Sequence, residues 1–321
     1  MRISIIIPMY NGAKTLNRCL QSIRAQSFRD YQVVMVNDGS TDDTLARAQE
    51  WVALDPRFQV ISQHHGGPGK ARNLGLTVSN GDYVVYVDAD DYWVQENLLQ
   101  QLADRIKQNP ADVYMYQMIK VTEDGTVLDR YTKPPFAKAD QVLPLDDVYE
   151  DLVRDGHTLA AAWNKCVRRD LLLEKGIRFR EDVLGEDIDW VLQLFSHTNT
   201  ICLLNSRAYA YTQHHTVSRS TNSNAHNDLV TIVNDWALRL AHGDIAHSRA
   251  AAGVVAFEYG ICMGRHPWLS PENKNRMRRN VHLLEWGLDS KTLLIRRVCK
   301  ILGYRLTCTA VGVYLTLRRI W

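Results

Sequence analysis

Residues 84–93 read VVYVDADDYW: four apolar residues run into three carboxylates, Asp88, Asp90 and Asp91, with only Ala89 between the first two. Val84, Val85, Tyr86 and Val87 are β-branched or aromatic with no polar residue between them. Such a run suits a strand buried on both faces, as in a parallel sheet. Carboxylates clustered beyond its end repel one another unless water, a cation or a basic group offsets them. Two readings are open from this stretch alone. One is a solvated acidic turn in which Asp91 caps the helix expected over VQENLLQQLADRI. The other is a metal site.

Upstream, strand-like and helix-like segments alternate. ISIII (3–7) reads as a strand, followed by a turn at Tyr10-Asn11-Gly12 and a helix over 13–26 with Leu16, Cys19, Leu20 and Ile23 at helical spacing. Then come the strand YQVVMV, the turn NDGSTDD, the helix TLARAQEWVA, the strand FQVIS, a Gly-rich loop, a helix and the acidic strand. This order predicts a doubly wound, mostly parallel sheet with ligands beyond the carboxyl ends of its strands. After VYMYQMIKV the alternation weakens: EDGTVLDRYTKPPFAKADQ reads as a hairpin and loop, and from about 222 the pattern is helical.

Composition narrows the function classes. At 321 residues and 45% apolar, the chain has material for one large or two smaller domains. A net charge of +2 argues against nucleic acid as a partner. The six cysteines show no CxxC pair and no zinc spacing, so reduced, buried thiols are expected. MRISIIIPMYN does not read as a signal peptide, and no uncharged stretch reaches the ~20 residues that span a bilayer.

The polar residues that follow each strand are the candidates. Asp38, first beyond the second strand, could accept hydrogen bonds from a base or ribose, whereas Ser40, Thr41 or Asp42 could simply cap the next helix. HHGGPGKARNLGL is either a flexible glycine turn or an anion cradle supplemented by Lys70 and Arg72; it matches neither a Walker loop nor GxGxxG. In DVLGEDIDWVLQLF, an apolar face of Ile188, Val191, Leu192 and Phe195 places Glu186 and Asp187 in a first helical turn. There they either complement the helix dipole or present a general base.

Taken in order, SIIIPMYNG, VVMVNDGSTDDT, GKARNLGL, GDYVVYVDADD, AAWNKCVRRDLL, GEDIDW and YAYTQHHTVSRS resemble the family 2 glycosyltransferases, especially bacterial enzymes of O-antigen, capsule or exopolysaccharide assembly. The resemblance covers about two thirds of the chain. It implies a GT-A fold with a C-terminal helical extension, a divalent metal (Mn2+ or Mg2+), a nucleotide-sugar donor and an inverting mechanism. It places Pro8, Tyr10 and Asp38 around the base and Arg72 near base and diphosphate. Asp88-Ala89-Asp90 matches the DxD motif, Asp88 toward the ribose and Asp90 on the metal, with Asp91 a frequent extra member. Asp187 matches the catalytic base, Glu186 its neighbour, and Trp163 and Lys165 line the acceptor side. Relatives often carry an Arg where Thr212 stands, which leaves Arg219, His214 or His215 as replacements.

A DxD-type phosphatase would need Thr or Val where Tyr92 follows the acidic run, and would carry the motif near its N-terminus. A sugar-nucleotide-binding module without activity is the non-enzymatic rival, disfavoured by the presence of both Asp90 and Asp187. The expected organisation is a catalytic domain over 1–220 and a helical region over 221–321. The last 31 residues hold seven Arg or Lys and no Asp or Glu around apolar stretches. That pattern suits a helix lying on an anionic leaflet; the alternative is a helix that covers the catalytic domain. The resemblance accordingly implies a peripheral protein at the cytoplasmic face of the inner membrane, acting on an undecaprenyl-diphosphate-linked acceptor.

Overall fold

The structure, a computed structural model, describes residues 1–128, 135–157, 160–213, 223–243 and 245–318. Its contacts group the chain into two compact units. The first comprises Met1–Pro144, Ala161–Asp182 and His197–His214, the second Leu145–Ala160, Val183–Ser196 and His215–Trp321.

The first unit is built on a nine-stranded sheet. Its strands are β1 (Ile3–Met9), β2 (Tyr31–Asp38), β3 (Phe58–Gln63), β4 (Tyr83–Tyr86), β5 (Tyr92–Trp93), β6 (Val113–Thr122), β7 (Val142–Pro144), β8 (Lys165–Arg168) and β9 (Thr200–Gln213). The order is β3-β2-β1-β4-β8-β6-β9-β5, with β7 also on β9. Parallel pairing holds across β3, β2, β1 and β4. Beyond β4 the sheet is mixed, because β8 runs antiparallel to both β4 and β6 while β6 and β9 are parallel. The β/α alternation ends at β6, and with it the crossovers that keep neighbouring strands parallel.

Four helices follow the early strands: α1 (Leu16–Arg24), α2 (Thr44–Leu54), α3 (Gly67–Val78) and α4 (Leu98–Gln108). Side chains alternate across the pleat. Ile5, Ile7, Val33 and Met35 join a core with Leu16, Cys19, Leu20 and Ile23 of α1. Ile6 and Val36 point the other way, against α3, where a Cβ on Gly75 would fall 2.3 Å from Ile6 Cγ2. That close approach fixes α3 and the Arg72 it carries. The Gly-rich stretch is not a loop ahead of this helix but its start, with Gly66 as N-cap and Pro68 in the first turn, a position for which proline's fixed φ is suited. The hairpin after β6 is present, closed by the Val121–Val127 bridge.

The second unit is helical, with α5 (Tyr149–Arg154), α7 (Glu186–His197), α8 (Ser223–His242), α9 (Ser248–Gly264), α10 (Pro271–Arg279) and α11 (Ser290–Arg318); the remaining helix, α6 (Arg169–Glu174), belongs to the sheet unit. Along α9, Gly260 faces Ile295, and Gly264 meets Val311 and Leu315, so α11 lies close on it. The segment 290–317 is longer than the apolar stretches read from sequence. As one helix it is long and apolar enough, by length and composition, to cross a membrane, with only 17% of its most apolar window buried. Its geometry is broken, however, at Gly303 (φ 75°, ψ 168°), a conformation glycine adopts without strain. Each half is therefore shorter than a span of about 20 residues. All six cysteines are free thiols, five of them buried.

Candidate active site

The carboxyl ends of β1, β2 and β4 converge in the first unit. Asn11 Oδ1 accepts from Thr41 N (2.8 Å), Ser40 Oγ accepts from Asn11 N (3.1 Å), and Thr44 Oγ1 accepts from Gly12 N (2.8 Å). The Ser40–Thr44 segment thus stitches the turn after β2 to the turn after β1. Asp38 is 2% exposed. Its Oδ1 accepts from Gln63 Nε2 (2.7 Å) and Gly66 N (2.9 Å), and its Oδ2 from Gly67 N (2.9 Å), with His65 Nδ1 also at 2.9 Å. In this form the carboxylate orders the glycine turn. Above it in sequence, half-exposed Tyr10 stacks on His65 at 4.1 Å between centroids, a flat aromatic platform. Pro8, part-buried, lies in β1 beside Val36.

The acidic run is a convergent cluster. One ligand oxygen each of Asp88, Asp90 and Asp91 lies within 4.8 Å of the others. Asp88 Oδ1 accepts from Arg72 Nη2 at 2.8 Å, and that guanidinium, 4% exposed, lies over the Phe179 ring. Asp91 does not cap a helix: the two-residue β5 intervenes and α4 begins after Asn97. It is buried instead, accepting from Thr212 N on Oδ1 and from the Tyr209 hydroxyl on Oδ2, both at 2.7 Å. The Tyr209 hydroxyl oxygen in turn accepts from Asp88 N at 3.2 Å, and its ring stacks on Trp163, which stacks on Tyr211.

Burial, then the Asp90 and Asp88 charges, push the Asp91 carboxyl well above the usual carboxylate range. With the folded pKa above the unfolded one, its stabilising contribution is complete below the unfolded value and is lost as pH rises through the folded one. At neutral pH the cluster therefore carries an electrostatic cost that a cation relieves. An all-oxygen donor set suits a hard divalent ion. Asp91 already accepts on both oxygens, so Asp88 and Asp90 are the pair fitted to hold the ion, and Asp91 to hold the loop.

Thr212 is served by a second guanidinium, one that helical spacing alone does not bring to the site. Arg18 of α1 donates to Thr212 Oγ1 (3.2 Å), to the Asp90 carbonyl (3.1 Å) and to the Glu123 carbonyl (3.0 Å), with its guanidinium over the Tyr92 ring. Thr212 Oγ1 also donates to the Asp90 carbonyl at 2.9 Å. His214, His215 and Arg219 lie outside the described residues. Arg18→Ala should weaken Mn2+ binding about tenfold, the range for a residue that orients a metal ligand, with partial recovery in Arg18→Lys. Mn2+ titration followed by electron paramagnetic resonance checks this; unchanged affinity would remove Arg18 from the site.

The remaining sequence candidates separate. Lys165 is fully buried, its Nζ donating to the Ala161 carbonyl (2.6 Å) and Asn164 Oδ1 (2.8 Å), so it braces the turn before β8. Glu186, Asp187 and Asp189 occupy the first turn of α7 in the second unit. Asp189 accepts from Trp236 Nε1 (2.8 Å) and Gln193 Nε2 (2.6 Å), and Glu186 Oε2 accepts from Gly185 N (3.1 Å). Glu186 and Asp189 are buried, whereas Asp187 is part-exposed.

A parallel 3-2-1-4 sheet carries acidic and basic groups at its carboxyl edge, the edge at which open α/β sheets bind ligands. Residues 4–170 match the family model Glycosyl transferase family 2, and the chain belongs to that family. It is 31% identical over 212 residues to the glycosyltransferase EpsJ of Bacillus subtilis, covering 65% of this chain and 60% of EpsJ. With the cholesterol galactosyltransferase of Borreliella burgdorferi it shares 28% over 213 residues, 65% of this chain and 59% of that one. The match thus spans less than two thirds of either relative. The crystal structure of Staphylococcus aureus TarS 1–349 in complex with UDP-GlcNAc superimposes with a TM-score of 0.71 at 20% identity, over 98% of this chain and 92% of that one. That likeness establishes the GT-A fold.

Proposed function

We propose that the chain is an inverting glycosyltransferase. It transfers a hexose, glucose or galactose foremost, from a uridine-diphosphate sugar to a hydroxyl of a saccharide acceptor, giving a β-linkage from an α-linked donor. The acceptor is an undecaprenyl-diphosphate-linked repeat-unit intermediate, met at the cytoplasmic face of the inner membrane. The carrying observation is the Asp88, Asp90, Asp91 cluster with Arg72, at the end of β4 in a family 2 chain. A uridine donor is supported by the UDP-GlcNAc bound to TarS, and galactose by the activity named for the Borreliella relative.

The chain's own residues supply most of the chemistry. The Tyr10–His65 pair offers a stacking surface to the base, and Asp38 Oδ2 exchanges His65 for a base N–H. Arg72 holds Asp88, while Tyr209, Thr212 and Arg18 hold the loop that carries Asp90. Asp88 and Asp90 would hold a divalent ion, which would supply positive charge where the diphosphate departs. Asp187 takes the acceptor hydroxyl proton as the acceptor oxygen bonds to the anomeric carbon; the bond from that carbon to the phosphate oxygen breaks, and the nucleoside diphosphate leaves with its electron pair. One displacement inverts the centre.

The test is a panel of UDP-glucose, UDP-galactose, UDP-GlcNAc and GDP-mannose with Mn2+ and a GlcNAc-diphosphate-lipid analogue. The expected result is UDP release with product from a UDP-hexose and a β-anomeric proton in the NMR spectrum. An α-linked product would overturn the inverting mechanism, and binding without turnover of any donor would leave a binding module.

A further inference from the structure

On α11 the residues that pack inward and those that face solvent sort by a regular spacing, and both sets are apolar. In the second half, Thr307, Cys308, Val311 and Leu315 are buried, with Val311 and Leu315 against Gly264 of α9. The opposite side carries Leu306 (60% exposed), Ala310, Val313 (55%) and Leu317 (79%). Steps of four, three and four residues place these on one stripe. In the first half, Leu294 (60%) and Ile301 (81%) repeat the pattern with part-exposed Val298 between them. A helix that only covers a core presents polar residues outward, so an apolar outer stripe this long marks an interaction surface.

Charge identifies the occupant. Lys291, Arg297 and Arg305 are exposed along the same helix, Lys300 and Arg296 pair with Glu285, and no acidic residue lies in 290–321. Two copies docking through this stripe would oppose like charges. An anionic bilayer supplies both halves of the match: hydrocarbon for the leucines and headgroup phosphates for the Lys and Arg. The break at Gly303 lets the halves turn separately, which suits a surface and not a span.

We infer that the outward stripe of α11, Leu294 to Leu317, is a docking surface for an anionic lipid bilayer, into whose interface it inserts without crossing it. The inference specifies how the second unit meets the membrane invoked for the acceptor, and it stands on this helix alone, independent of the donor chemistry.

The test uses the full chain with vesicles of phosphatidylcholine alone and of phosphatidylcholine mixed with phosphatidylglycerol. Two triple variants accompany it: Leu306→Ser, Val313→Ser, Leu317→Ser, and Lys291→Gln, Arg297→Gln, Arg305→Gln. All six side chains are exposed, so both variants should fold, as circular dichroism and thermal melting would confirm. Wild type should sediment with the anionic vesicles only, at least about tenfold more than with neutral ones, and release as salt shortens the Debye length. Each variant should lose about tenfold or more in binding, since both signals are needed for stable attachment. Equal binding to neutral vesicles, or unchanged binding by the serine variant, would overturn the inference. So would a wild-type dimer that the serine variant converts to monomer without either binding vesicles, which would assign the stripe to a second copy. Donor turnover on a water-soluble acceptor is measured in parallel and should be equal in all three proteins. Its absence in all of them would count against the transferase reading and not against the membrane one.

Discussion

Asp90→Asn is expected to lower transfer by about 10³-fold or more, on the scale of removing a preorganised charge-stabilising group from a transition state, while leaving the fold intact. The variant leaves these backbone tethers in place, because Thr212 Oγ1 and Arg18 bond the Asp90 carbonyl. It also removes one of three clustered carboxylate charges. What it loses is a metal ligand. Wild type at 100-fold excess of Mn2+ over its Kd should gain about 2.7 kcal/mol, a rise of several degrees in Tm. Asp90→Asn should show little of that rise. Full wild-type turnover in excess EDTA, or a variant that turns over normally, would remove the metal from the mechanism.

The same cluster shows what sequence can and cannot disclose. The strands β1 to β4 and the residues just past their ends were legible because hydrophobic period and turn residues are local signals. That is how Asp38, Arg72 and the Asp88–Asp91 run were found. The state of Asp91 was not legible, since the groups that bury and bind it lie 118 and 121 positions away on β9. Arg18 was missed for the same reason: on the sequence it is a polar residue on an amphipathic helix, and its partners Asp90 and Thr212 are 72 and 194 positions distant. Lys165 was named from the resemblance alone, and local spacing gives no sign that its ammonium is held by the Ala161 carbonyl and Asn164 Oδ1. For α11, the sequence showed apolar stretches among basic residues, but only packing against α9 showed which face stays outside.

The second unit carries the other large effect. Asp187→Asn should lower kcat by about 10²–10⁴-fold, the usual contribution of a positioned general base, with the KM for donor little changed. Asp189 is buried and accepts from Trp236 Nε1 and Gln193 Nε2, so a proton arriving there would displace a hydrogen bond inside a core. Asp189→Ala should accordingly act on stability, by about 1–3 kcal/mol for the donors left unpaired, and be read as a lower Tm. Glu186 is buried and bonded to Gly185 N at the helix start. Asp187 is part-exposed in the same turn. Asparagine keeps its shape and removes only basicity, so folding and donor binding should survive while turnover collapses. Near-normal kcat in Asp187→Asn, together with a collapse in Glu186→Gln at unchanged Tm, would move the base to Glu186 and require that side chain to leave Gly185 during turnover.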